Sequence, residues 1–334
     1  MSAVNVNARD LQACLSQITP LVPKGTLYVP LGLHVHDNLL VITCLQGCVF
    51  QSHIPIGSDE VMSISVMYRD VTPLLPGSGE VTLEFATNFL ELTASGISIS
   101  LYNSYSVVQE QKFEEYVYTD ILHDDYIYNL RTMLGMNLDN IYKSVKPVNV
   151  YDKVALLKFP NTIVQVRTTG LPINCVLDVE HIKLLLRFRP TKVCRDGYLL
   201  TFLNDNAVLQ LPCKDNVDKN TFVDMLKDLG EPVSINIDGY LDKVRNLSKA
   251  LPKGKCTVVI YPDGITTKLF ADNTNASVSI GNVSTEVIKV LNLPTQIWLA
   301  FLKAMGNSNI QVLVGGGKLC LRNNSVVILT RVLL

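Results

Sequence analysis

The stretch VSINIDGYLDKVRNLSKALPKGKCTVVIYPDGITTKLFADNTNASVSIGN, residues 233–282, is one structural unit, and residues 286–334 write the same unit again. In the first copy Val233 to Ile237 alternates, Gly239 to Leu251 has helical spacing, and Cys256 to Tyr261, Thr266 to Ala271 and Ala276 to Ile280 alternate. The second copy has alternating Glu286 to Leu291, helical Thr295 to Met305, then Asn309 to Val314, Lys318 to Arg322 and Ser325 to Leu334. Tyr240, Val244, Leu247 and Leu251 recur every three or four residues and define one helix face, whereas Val258, Ile260, Leu269 and Val278 follow period two. Pro262-Asp263-Gly264 and Gly315-Gly316-Gly317 stand where residues tolerating positive φ close hairpins. The module is β-α-β-β-β, repeated.

The same order runs through the rest of the chain. Residues 1–112 give Val4 and Val6, a helical face of Leu11, Cys14, Leu15 and Ile18, and then three alternating runs. A second half follows, with a short helix near Arg69 to Leu75 and strands to Tyr102. Residues 113–230 open with a strand around Glu115 to Ile121 and a helix over Ile127 to Ser144, followed by runs at Val154–Phe159, Thr162–Arg167 and Ile173–Leu177. The helix Val179–Phe188 then follows with no room for the strand that should open the second half, so this half is expected to be shortened. A charged helical segment, Val217 to Leu229, leads into residues 231–334. Three modules, 1–112, 113–230 and 231–334, each an internal pair, make an α+β architecture and not one large α/β sheet.

Element order, length and closing tail resemble the DNA polymerase sliding clamp of the bacterial β type. The helix Leu293 to Met305 and the tail Val327 to Leu334 are similar to those of that family's third domain. The resemblance implies three clamp domains per chain that close into a ring with a second copy, head to tail, around duplex DNA. The ring would tether the replicative polymerase as a processivity factor, with no cofactor and no catalytic residue. Departures are a short chain, the abridged middle domain, and a tail ending Thr330-Arg331-Val332-Leu333-Leu334 without the usual methionine and proline. A divergent phage-encoded clamp accounts for them.

Composition agrees with a folded chain. The 334 residues are 48% hydrophobic and 18% charged, with formal net charge −1, so a nucleic-acid partner must be met by a local basic surface. Over six helical windows (8–24, 66–76, 127–146, 179–192, 239–253, 295–305) there are 15 basic residues and 5 acidic, leaving 14 basic and 25 acidic elsewhere. Arg245, Lys249 and Lys253 recur at i+4 opposite the apolar face, and Lys183 and Arg187 repeat that spacing. These five, with Arg131 and Lys143, are the expected DNA-phosphate contacts. The resemblance further implies a groove for hydrophobic peptides of the polymerase and the clamp loader. It would be bordered by Gly170, Leu171 and Ile173 of the loop 168–173, by Phe222, and by Ile328, Thr330, Val332 and Leu334 of the tail.

Enzyme signatures fail in turn. Gly315-Gly316-Gly317-Lys318 has Val312 where a phosphate loop needs glycine and Leu319 where it needs Ser or Thr. Neither Gly-x-Ser-x-Gly nor His-Glu-x-x-His occurs. His34, His36 and His53, or Cys44 with Cys48, are thin material for a metal, and the adjacent acids Glu114-Glu115 and Asp124-Asp125 point apart. Eight scattered cysteines, the lack of a leader-like N-terminus and the absence of an 18-residue apolar run predict a cytoplasmic protein with no membrane partner. The sequons at Asn246, Asn275, Asn282 and Asn323 then carry no weight. The competing reading is a repeat-built structural or ligand-binding α+β protein without a DNA role.

Overall fold

The computed structural model describes residues 2–22, 28–75, 77–104, 106–113, 116–121, 125–138, 146–151, 153–168, 170–215, 226–252, 255–271 and 274–331. The chain forms two compact units, one from Met1–Leu122 with Glu180–Lys214, the other from His123–Val179 with Asp215–Leu334.

The first unit holds β1 (Ser2–Asn7), α1 (Ala8–Ile18), β2 (Pro30–His36), β3 (Leu39–Leu45), β4 (Val49–Pro55), β5 (Met62–Met67), α2 (Tyr68–Val71), β6 (Glu80–Phe85), β7 (Phe89–Ala94), β8 (Ile97–Tyr102) and β9 (Thr119–Asp120). The second begins with α3 (Asp125–Leu138), β10 (Val148–Tyr151), β11 (Val154–Lys158), β12 (Thr162–Arg167) and β13 (Cys175–Leu177). Helix α4 (Val179–Phe188) leads back to β14 (Lys192–Asp196), β15 (Leu199–Asn204) and β16 (Ala207–Pro212) of the first unit. The second unit then resumes with β17 (Val233–Asn236), α5 (Tyr240–Ala250), β18 (Lys255–Tyr261), β19 (Asp263–Ala271), β20 (Thr274–Asn282), β21 (Lys289–Leu293), α6 (Thr295–Met305), β22 (Asn309–Gly315), β23 (Lys318–Arg322) and β24 (Val326–Arg331).

Among the described residues the order β-α-β-β-β thus occurs six times. Each unit contains one eight-stranded and one four-stranded antiparallel sheet. The orders are β5-β2-β3-β4-β16-β15-β14-β9 and β1-β6-β7-β8 in the first, and β13-β10-β11-β12-β24-β23-β22-β17 and β20-β19-β18-β21 in the second. Both eight-stranded sheets are joined at their middle by the last strands of two repeats, β4 with β16 and β12 with β24.

Three local readings change. Val148–Tyr151, passed over in the sequence, is a strand that pairs with β11 and β13. Cys175–Leu177 therefore takes the opening place for which the spacing left no room, and the fourth repeat is complete. Of the strand expected around Glu115 to Ile121 the described part is Thr119–Asp120, with Glu115 outside the described residues. The helix expected over Ile127 to Ser144 is described as Asp125–Leu138, with 139–144 outside them. Val217 to Phe222 and on to residue 225 lie outside the described residues, and Leu226 to Asp228 form a turn.

Turn chemistry explains the hairpins. Asp37 and Asn38 (φ 51 and 61) and Gly316 and Gly317 (φ 52 and 69) adopt the left-handed conformation of two-residue hairpin turns, with Gly315 opposite Lys318. Helix α1 starts where Asn7 accepts from the Arg9 N–H, and it buries Leu11, Cys14, Leu15 and Ile18. In the second unit, α5 and α6 share one polar anchor inside the core. Trp298 Nε1 donates to Thr267 Oγ1 at 2.8 Å, and the Tyr240 hydroxyl lies 2.7 Å from the same oxygen. Thr267→Val would leave the buried indole N–H without its acceptor, and we expect a loss of about 1–3 kcal/mol in urea unfolding. An unchanged midpoint would show that the anchor contributes nothing.

An extended strap, residues 106–111, crosses the first unit's large sheet, with Ser104 ahead of it. Ser104 N–H donates to Ser65 O, Val108 N–H to Ser65 Oγ, and Gln111 N–H to Gln51 Oε1. The Glu110 carboxylate meets His36 Nε2 at 2.7 Å. Gly32 lies beneath it because a Cβ there would stand 2.5 Å from the Val108 carbonyl oxygen. Asp37 and Glu110 raise the pKa of His36, whereas burial lowers those of His34 and His53. Burial pushes the thiols of Cys44 and Cys48 up to about 12. No described helix is long and apolar enough to cross a membrane.

Candidate nucleic-acid interface

In the second unit α5 packs on α6 and α6 on α3, so three helices stand in a row, with α3 against β11 and β12 and α6 against β24. Each helix turns its apolar side to the sheets: Tyr240 and Val244 on α5, Trp298, Phe301 and Leu302 on α6, Tyr126, Leu130 and Met133 on α3. Periodicity then leaves the basic side chains outward. Lys243, Arg245 and Lys249 of α5, Lys303 of α6 and Arg131 of α3 are all exposed. Arg245 holds Asp242 one turn back at 2.6 Å, an exposed pair that contributes little to stability and does not fix the guanidinium.

Sequence reading named Arg131, Arg245 and Lys249 but passed over Lys303, a single cation on an apolar helix. Its signal was position: it lies off the Trp298, Phe301, Leu302 and Met305 face. Between α3 and α6 a notch of about 300 Å³ is lined by Arg131, Lys303, Tyr128 and Thr132, with Gly135 and Ala304 making room. Two cations and two hydroxyls, with no carboxylate among the described lining residues, suit a phosphate oxyanion.

In the first unit Lys183 and Arg187 lie on α4. Arg187 Nη1 donates to Ser16 O on α1 at 2.7 Å, and Lys183 Nζ meets Glu180 at 2.7 Å. Both remain on the outward side of a helix that buries Ile182, Leu184 and Leu185. Lys143 and Lys253 lie outside the described residues.

The proposed groove residues do not all meet. Ile328 and Thr330 are buried in β24, where the Thr330 hydroxyl lies 2.8 Å from that of Thr162 and Arg331 N–H donates to Asn161 O. The turn beside the end of β24 is therefore 159–161. The loop bearing Gly170, Leu171 and Ile173 leaves the opposite end of β12, and Leu171 and Ile173 are buried there. What lies on the same sheet near that turn is an apolar cluster of Leu313, Cys320 and Leu329, against which Leu229 and Val327 pack. Phe222, Val332 and Leu334 lie outside the described residues.

No family model matches the sequence, and no curated protein matches it. Solved structures do match. The Helicobacter pylori beta clamp bound to a DNA ligase peptide aligns over 100% of both chains, with TM-score 0.81 and 11% identity. Caulobacter crescentus pol III beta also aligns over 100% of both, with TM-score 0.80 and 11% identity. A putative DNA polymerase III beta subunit from Eubacterium rectale ATCC 33656 aligns over 99% of this chain and 98% of its own, with TM-score 0.78 and 9% identity. The fold is that of the bacterial beta clamp along the whole chain.

Proposed function

We propose that the protein is a DNA sliding clamp, a ring of two copies joined head to tail that encircles duplex DNA and tethers a polymerase. The observation that carries this reading is a pair of strands left over. Six repeats end in β4, β8, β12, β16, β20 and β24; four of these pair with one another inside the chain, and β8 and β20 stand at sheet edges. Joining β8 of one copy to β20 of the other makes a further eight-stranded sheet of the kind already present twice. The contact is heterologous, and it closes after two copies. Three domains, 1–112, 113–230 and 231–334, are then the repeating units of the ring, and the closed ring is the functional fold.

The outward basic residues of the helices, Arg131, Lys183, Arg187, Arg245, Lys249 and Lys303, with Lys143 and Lys253, would touch phosphates without reading bases, which permits sliding. Tethering needs no catalytic group. A Helicobacter pylori clamp is known with a DNA ligase peptide bound. By analogy this chain receives hydrophobic peptides of polymerase and clamp loader near Leu313, Cys320, Leu329 and the tail, in the cytoplasm of a host cell if a phage encodes it. The ring reading predicts a solution mass twice 37.0 kDa by light scattering at micromolar concentration. A species of 37.0 kDa alone would overturn it.

A further inference from the structure

The large sheet of the second unit has two unlike faces. Val164, Ile328, Leu321 and Val312 lie side by side on four strands and are all buried, and half-buried Val233 continues the row on β17. One residue further along each strand, the opposite face shows Gln165, Val327, Arg322, Gln311 and Ser234 in register on β12, β24, β23, β22 and β17. This row spans roughly 19 Å at about 4.8 Å per strand, the reach of about six extended residues. It lines a cleft of about 480 Å³ that also takes in Arg167. Among the described residues the lining has two arginines and no carboxylate, on a chain of net charge −1. Arg322 is already aimed, because its Nε donates to Gln311 Oε1 at 2.6 Å. A guanidinium held by a neutral amide keeps its full charge and its remaining N–H donors for a ligand.

The first unit shows what such a surface takes. There an extended segment crosses the sheet, its Gln111 N–H bonded to the Gln51 amide oxygen and its Glu110 carboxylate to His36. The row on the second unit offers the same partners, glutamine amides for a backbone and cations for a carboxylate. Val327, between Gln165 and Arg322, adds an apolar contact and packs against the Leu313, Cys320 and Leu329 cluster.

We propose that this cleft docks an extended acidic segment of a partner protein, with carboxylates on Arg167 and Arg322 and an apolar residue over Val327. The site is separate from the basic helices, on the other side of the sheet that α3 and α6 cover. It goes beyond the ring reading and does not depend on it.

The probe is a fluorescein-labelled eight-residue peptide with one leucine between two glutamates, titrated with the full chain and read by anisotropy. Binding should weaken at least tenfold in the R167A/R322A variant and disappear when lysines replace the glutamates. In R167E/R322E the preference should reverse, so that the lysine peptide binds, which also shows that the variant is folded. Absence of binding to the natural chain, equal binding by R167A/R322A, or no reversal in R167E/R322E would each overturn the proposal. Solution mass and retention on DNA, measured on R167A/R322A, should match those of the natural chain. If the natural chain itself fails those two measurements while the peptide results hold, the ring reading falls and the acidic-peptide site stands.

Discussion

Ser100→Pro is expected to break the proposed ring dimer into monomers while leaving each chain folded. The two-residue turn at Ser95 and Gly96 makes Ala94 and Ile97 a hydrogen-bonded pair, and antiparallel alternation then turns the N–H groups of Ser98, Ser100 and Tyr102 away from β7. Proline at position 100 therefore removes no bond inside the sheet, yet it deletes a donor from the free edge and obstructs an incoming strand. The same alternation, set by the pairing of Ala271 with Thr274, turns the Ser277 N–H outward on β20, so Ser277→Pro should act alike. In a head-to-tail ring either substitution appears at both interfaces. At about 1–3 kcal/mol for each unsatisfied acceptor, dimerisation weakens by roughly 2–6 kcal/mol, between one and four orders of magnitude. If both proline variants sediment as the unmodified dimer does, β8 and β20 are not the joint.

The second large effect concerns charge. Replacing Arg131, Arg245, Lys249 and Lys303 by alanine should leave the unfolding midpoint nearly unchanged, since all four are exposed. It should lower the log–log salt slope of DNA binding by about 0.9 for each phosphate no longer neutralised, up to about 3.6 for each of the two chains of the ring. R167A/R322A, on the opposite side of the sheet, is the control that should not move the slope. An unchanged slope in the fourfold variant would place the DNA elsewhere.

Much of this was legible in the sequence because the repeat writes its periodicities openly. The face Tyr240, Val244, Leu247 and Leu251 and the alternation through Val258 and Ile260 give α5 and β18 directly, and residues 315–317 turn where three glycines say they should. Val148–Tyr151 escaped because it has only four residues, and its place between β11 and β13 is a long-range pairing that local pattern does not encode. The outward cations followed from helix geometry. The groove did not, because a loop's neighbours depend on which end of a strand it leaves. Arg331 bonds to Asn161, next to the turn that opens β12, whereas Thr168 begins the loop after β12 and donates through Oγ to Tyr151 O. The acidic-peptide cleft was equally hidden: Gln165, Val327, Arg322, Gln311 and Ser234 lie on five strands and meet only through their register.

Encirclement is the central claim, and topology tests it most directly. The chain is placed with a clamp loader and ATP on nicked circular DNA, washed at high salt, and assayed for retained protein before and after the circle is cut once. A ring stays on the circle through the wash and slides off the cut molecule, so retention should be lost on linearisation. Equal retention on circular and linear DNA would mean that the protein binds along the duplex and does not enclose it.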